Sequence, residues 1–159
     1  MKVAFFHGLE SQPRSEKNEI LEELFGADNI YAPEMVYDYP LMYEEVLKHL
    51  QENPVDLLIG SSMGGYFAHS LSTILNIPTL LFNPAVHSRS MEPDFVETGN
   101  KRPVQTLVLG KADSVVKPYL TLDYFSDAEF PLQIDIVEME HRVPAEIFRE
   151  QLMISRVAL

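Results

Sequence analysis

The chain has 159 residues, with 24 acidic and 12 basic side chains and a formal net charge of −12. That length is typical of one domain with a core large enough to fold without staples, and an isoelectric point near 4.7 disfavours nucleic acid and anionic membrane surfaces, whose phosphates would be repelled. Cysteine is absent, which excludes disulfides, thiolate metal sites and cysteine nucleophiles.

The first apolar stretch, Val3–Phe6, is too short for the core of a signal peptide and reads as a buried strand. Ser15–Phe25 carries Ile20, Leu21, Leu24 and Phe25 on one helical face and stops at Gly26, a glycine C-cap. A short strand follows at Ile30–Ala32. A second helix covers Leu41–Leu50, with Tyr43, Val46, Leu47 and Leu50 at helical spacing, before Pro54 breaks the chain. Leu57–Ile59 is the next strand. Met63–Leu75 is a helix whose Phe67, Leu71, Ile74 and Leu75 pack on the sheet, and Thr79–Phe82 is again a strand. Residues 83–103 hold several prolines and mixed charges. They read as a long loop, too short for a lid domain. Strands at Val104–Leu109 and Ile134–Val137 bracket a short helix at Tyr119–Phe125. Pro144 opens a C-terminal helix with Ile147, Phe148 and Leu152 facing inward. Apolar runs alternating with helical patterns indicate a parallel α/β sheet, one domain over 1–159. No run approaches the length needed to span a bilayer, so the expected address is the cytoplasm.

The chemistry is carried by Gly60-Ser61-Ser62-Met63-Gly64, a G-x-S-x-G motif directly after an apolar strand and directly before a helix. In that context Ser62 sits on a sharp strand-to-helix turn, and glycines flank it because side chains there would collide with neighbouring elements. The helix start places the Met63 N–H and a positive dipole beside a developing oxyanion. A tight βα turn without chemistry is the plainer alternative; the strand–helix context favours the nucleophile.

A hydroxyl needs a base. His49 reads as a surface residue, His69 points away from the start of its helix, and His87 lies in the long loop. His141 follows the last strand, at the same carboxyl edge of the sheet as Ser62, and the chain order Ser…Asp…His requires a late histidine. Asp113 follows the strand Val104–Leu109 and is the expected orienting acid. Asp94 and Asp123 do not follow strands, Asp135 lies within one, and Glu138 and Glu140 stand too near His141. An Asx turn is the alternative reading of Asp113. His7-Gly8-Leu9 follows the first strand, and the Leu9 N–H is the expected second oxyanion donor.

Together these segments resemble the α/β-hydrolase superfamily, and in detail the small YqiA-like esterase family, which has no cap domain. The matching stretches are His7 to Ser15 with Lys17, Gly60 to Tyr66, and Asn83-Pro84-Ala85-Val86. The resemblance implies about six mostly or wholly parallel strands in the order 2-1-3-4-5-6, with helices on both faces and without the opening antiparallel strand of larger hydrolases. It implies a Ser62–His141–Asp113 triad that hydrolyses carboxylic esters of small acyl groups and requires no metal or organic cofactor. The partner is then a small-molecule ester, and the chain a monomer or homodimer. Glu10 departs from the family pattern; a carboxylate facing the site would disfavour anionic substrates.

Three other readings use the same residues differently. One is a binding module that keeps the hydrolase fold without turnover. Another is a thioesterase. The third is a flavodoxin-like carrier, which needs a phosphate loop after the first strand where Glu10 would repel phosphate.

Overall fold

The computed structural model describes residues 1–9, 15–87 and 103–158. In chain order they form β1 (Val3–Phe6), α1 (Glu16–Phe25), β2 (Ile30–Tyr31), α2 (Met42–Glu52), β3 (Leu57–Ser61), α3 (Met63–Leu75), β4 (Thr79–Phe82), β5 (Gln105–Gly110), α4 (Pro118–Tyr124), β6 (Leu132–Val137) and α5 (Ala145–Ala158). The strands make one sheet in the order β2-β1-β3-β4-β5-β6. Every neighbouring pair is parallel.

The alternation of side chains along each strand divides the core in two. Ala4, Phe6, Leu58, Leu81, Leu107 and Leu109 face one side, with Val46 and Leu50 of α2 and Phe67 and Leu71 of α3. Val3, Phe5, Leu57, Ile59, Leu80, Phe82 and Val108 face the other, with Ile20, Leu21 and Phe25 of α1 and Phe148 and Leu152 of α5. Helices thus cover both faces, which is why β1 is apolar throughout and β3 and β4 carry consecutive apolar residues, Leu57–Ile59 and Leu80–Phe82, rather than alternating ones. Each fully buried Leu, Ile or Phe contributes about 1.5–3 kcal/mol.

Element boundaries differ from the sequence expectation in several places: β3 runs on to Ser61 and β5 spans Gln105–Gly110 rather than Val104–Leu109. β6 begins at Leu132, two residues before the expected Ile134, because Gln105 of β5 pairs with Leu132 in the ladder. As the edge strand it leaves Gln133, Ile134 and Ile136 exposed, so no apolar run marks its start. Pro144 precedes α5 rather than opening it, and its carbonyl accepts the Phe148 N–H at 3.0 Å. A 3-10 turn at Ala27–Asn29 separates α1 from β2 and has no apolar signature. Gly26 ends α1 at φ 83, as expected of a glycine stop. Most of the 83–103 loop lies outside the described residues, as do Glu10 and Asp94. Among the described residues no helix is long and apolar enough to cross a membrane.

Helix α3 is buried on nearly its whole circumference, from Met63 to Ser72. His69 is therefore a core residue. Its ring meets Tyr124 and Phe125 edge-on, and its Nδ1–H donates to Gln105 Oε1 at 2.7 Å. Burial lowers its pKa from 6.5 to about 4, against the opposing effect of the Gln105 bond. The unfolded chain then binds the proton more readily than the folded one, so stability is complete above pH 6.5 and is lost progressively as pH falls toward about 4. The loss expected from His69 by about pH 5 is roughly 2 kcal/mol. Urea unfolding at both pH values reads it; His69→Gln should show a correspondingly smaller pH dependence, and an equal dependence in both proteins would contradict the assignment.

Candidate active site

Because the strands are parallel, the segments that leave their carboxyl ends gather on one edge of the sheet. His7, Gly8 and Leu9 follow β1, Ser62 follows β3, Asn83 follows β4, Asp113 follows the end of β5 and His141 follows β6.

Ser62 holds the turn between β3 and α3 at φ 55, ψ −118. A non-glycine residue there costs about 1–3 kcal/mol and persists only when its surroundings determine it. Its N–H donates to the Phe82 carbonyl at 2.9 Å, and its own carbonyl accepts from Gly65, Tyr66 and Ala85 at 3.0, 3.2 and 2.9 Å. The flanking glycines are required by contact. A side chain on Gly60 would overlap the Gly64 carbonyl, and one on Gly64 would overlap the Phe6 carbonyl. Removing both side chains lets α3 start directly against β1 and β3.

Three side chains expected from the sequence meet here. Ser62 Oγ lies 3.1 Å from His141 Nε2, and His141 Nδ1 lies 2.8 Å from Asp113 Oδ2. The Asp113 side chain is fully buried, while that of His141 remains 28% exposed. Asp113 Oδ1 also accepts the Val115 and Val116 N–H groups, each at 2.8 Å. The Asx-turn reading and the orienting reading of Asp113 are therefore both met, one by each oxygen. Three donors compensate the carboxyl group for its lost hydration. With Nδ1–H committed to Asp113, Nε2 is the lone-pair nitrogen that faces the serine hydroxyl.

The other histidines stand elsewhere. His49 is half-buried and stacks on Tyr31 with ring centroids 4.0 Å apart, so it is less a surface residue than its sequence position indicates. His69 is in the core, and the exposed His87 bonds the Leu120 carbonyl. Asp123 is an exposed residue of α4, and Asp135 accepts from Gln151.

Gly8 approaches Ser62 closely: a Cβ placed on it would lie 3.3 Å from Ser62 Cβ. That brings the backbone before Leu9 beside Ser62, while the Leu9 side chain is 62% exposed. Met63 is the first residue of α3, where the N–H has no intrahelical acceptor. The loop is braced from beneath by the His7 ring and by Tyr37, whose bracing contacts the sequence does not mark. His7 Nδ1–H donates to the Gly8 carbonyl at 2.7 Å, and Nε2 accepts the Met35 N–H at 3.0 Å. The Tyr37 hydroxyl donates to the His7 carbonyl, and burial pushes its pKa far up, so it remains a donor. Lys17 is half-buried with Nζ 5.8 Å from the centroid of the Phe148 ring; burial and then the Arg142 charge lower its pKa. Among the described residues no three His, Asp or Glu side chains converge to hold a metal ion.

The fold matches solved structures across almost the whole chain. A monoacylglycerol lipase from Paleococcus ferrophilus is similar with a TM-score of 0.74 at 14% identity, covering 98% of this chain and 93% of that one. A protein assigned to the alpha/beta hydrolase superfamily from Xanthomonas campestris pv. campestris has a TM-score of 0.71 at 19% identity, with 99% of each chain covered. The esterase domain of a Rhodothermus marinus protein has a TM-score of 0.69 at 11% identity, covering 99% and 85%. At these identities the likeness is one of fold, and the fold is that of the α/β hydrolases. The chain belongs to the family described as Uncharacterised protein family (UPF0227), whose pattern matches residues 2–129. Ser62 and Asp113 fall inside that match; His141 lies beyond it and is placed by geometry.

Asp113→Asn tests the arrangement sharply. The two backbone N–H groups at Oδ1 would hold the remaining amide oxygen in place, so the new NH2 would face His141 Nδ1. That forces the proton onto Nε2 and leaves no acceptor for the serine hydroxyl. Turnover of an ester should fall by roughly 10⁴-fold with the fold intact. A loss under about tenfold in steady-state kinetics would contradict the role of Asp113.

Proposed function

We propose that the protein is a serine hydrolase that cleaves carboxylic esters of small acyl groups through an acyl-enzyme. The observation that carries the reading is the hydrogen-bonded chain from Ser62 through His141 to the buried Asp113, set on a strained turn at the start of a helix. Esterase and lipase neighbours of the same fold support it.

In this reading Ser62 Oγ attacks the ester carbonyl while His141 Nε2 takes its proton. Asp113 stabilises the imidazolium and holds its orientation. The Met63 and Leu9 N–H groups receive the negative charge that forms on the carbonyl oxygen, at the positive end of the α3 dipole. As the tetrahedral adduct collapses, the C–O bond to the alcohol breaks and His141 returns the proton to the departing oxygen. Water then enters and attacks the acyl carbonyl while His141 takes its proton; the acyl–Ser62 bond breaks, His141 returns the proton to Ser62 Oγ, and the acid is released. No step needs a metal or an organic cofactor.

A panel of p-nitrophenyl esters of increasing acyl length tests this. Hydrolysis should be fastest with the short acyl groups, and Ser62→Ala should lower kcat by roughly 10⁶-fold, as expected when the groups act as a unit. Turnover in Ser62→Ala close to that of the unmodified protein would overturn the reading, and a maximum at long acyl chains would overturn the proposed substrate class.

A further inference from the structure

We infer that Asn83 is a positioning residue that holds the Asp113 and His141 loops in register around Ser62. This rests on the hydrolase reading above and extends it to a residue that never meets the substrate.

Asn83 leaves the end of β4 between β3, which carries Ser62, and β5, which leads to Asp113. Its side chain reaches both of the other loops. Oδ1 accepts the N–H of Gly110, the last residue of β5, at 2.7 Å. Nδ2 donates to the carbonyls of Glu140 and His141, at 3.2 and 3.0 Å. Two carbonyls on one side and an N–H on the other determine which way the amide points. Among the described residues those two carbonyls have no other donor; the Lys111 and Ala112 N–H groups tie the chain after β5 to the Val137 and Met139 carbonyls at 2.9 and 3.1 Å, and the amide carries that connection on to Glu140 and His141. The backbone of the same stretch completes the connection: the Asn83 N–H donates to Val108 at 3.0 Å, and the Ala85 N–H donates to the Ser62 carbonyl at 2.9 Å. One short segment, Asn83-Pro84-Ala85, thus touches all three loops of the triad.

Two features separate this from routine satisfaction of buried polar groups. Asn83 is 1% exposed and holds φ 43, a left-handed backbone that a non-glycine residue adopts at a cost. Its partners lie 27, 57 and 58 residues further along the chain: Gly110 begins the turn that leads to Asp113, and Glu140 and His141 precede and include the base. An amide only needed for cap or turn satisfaction would find partners nearby. Asparagine suits the position because it tolerates the left-handed region and offers donors and an acceptor at once.

The test compares Asn83→Gly, which accepts the φ and removes the amide, and Asn83→Asp, which keeps the acceptor and loses the donors. Leu50→Ala in α2 serves as a destabilised control remote from the site. The first readout is the tautomer of His141, from long-range proton–nitrogen correlations in the folded proteins; it does not depend on turnover. The second is the split between kcat and KM on a p-nitrophenyl ester. The original protein should show His141 protonated at Nδ1. Both Asn83 variants should show a tautomer mixture and a kcat about a hundredfold lower with KM within about twofold. Leu50→Ala should keep the tautomer and kcat while melting at lower temperature. A folded Asn83 variant with the original tautomer and kcat overturns the inference, as does a Leu50→Ala protein that loses both. If the original protein shows the Nδ1–H tautomer but cleaves no ester, the hydrolase reading fails while the tautomer comparison still decides the role of Asn83.

Discussion

The arrangement at the carboxyl edge of the sheet depends on one turn, the left-handed backbone of Ser62. Held at φ 55, it turns the hydroxyl out of the β3–α3 junction toward His141. Such a conformation survives because three separate segments grip it: β4 takes its N–H, the first turn of α3 takes its carbonyl, and Ala85 adds a further donor. Gly60 and Gly64 make the grip possible, because any side chain on either would displace backbone atoms of neighbouring elements. The strain is local, and the hydrogen bonds and packing that offset it come from the sheet as a whole.

From this turn the remaining geometry follows by topology. Parallel strands deliver the segments after β1, β3, β4, β5 and β6 to the same edge, and the order β2-β1-β3-β4-β5-β6 seats β3, and with it Ser62, near the middle of it. Asp113 and His141 are separated by 28 residues yet meet at 2.8 Å because their strands are neighbours. Asn83 stands between β3 and that pair, and its amide spans the gap. The His7 ring and the Tyr37 hydroxyl do the same for the loop after β1. The site is thus a layer of backbone loops fastened to each other by buried side chains, with Ser62 and His141 partly exposed.

Much of this is legible in the sequence, and the reasons are physical. β1 and β4 coincide with their expected spans because strands covered on both faces show as short consecutive apolar runs, whereas β3 and β5 extend into the Gly-Ser and Gly residues at their carboxyl ends, which carry no strand signal. The span of α3 is marked at its start by the glycines of the motif and at its end by Asn76 in the left-handed region. Ser62, Asp113 and His141 were singled out because each stands within a few residues of a strand's carboxyl end, in the order that the proposed chemistry requires, and the structure brings them within hydrogen-bond distance. The edge strand β6 was legible only in part, since one-sided packing leaves exposed Ile134 and Ile136 beside polar neighbours. The bracing role of Asn83, His7 and Tyr37 was hidden because their partners are backbone groups far away in the chain, and backbone groups have no sequence signature. The Asn83-Pro84-Ala85-Val86 stretch was visible as a resemblance, but what it does needed coordinates. His69 was placed correctly outside the site, yet its burial among aromatic rings follows from the packing of α3 and α4 together.

The central claim is that Ser62 is an activated nucleophile, not merely a serine at a tight turn. The most direct measurement is labelling with a fluorophosphonate probe, with the adduct mapped by peptide mass spectrometry in the original protein, in Ser62→Ala and in His141→Ala. The account predicts stoichiometric modification of Ser62, no modification of Ser62→Ala, and very slow modification of His141→Ala. A folded original protein that stays unlabelled, or one labelled equally fast without His141, would contradict it.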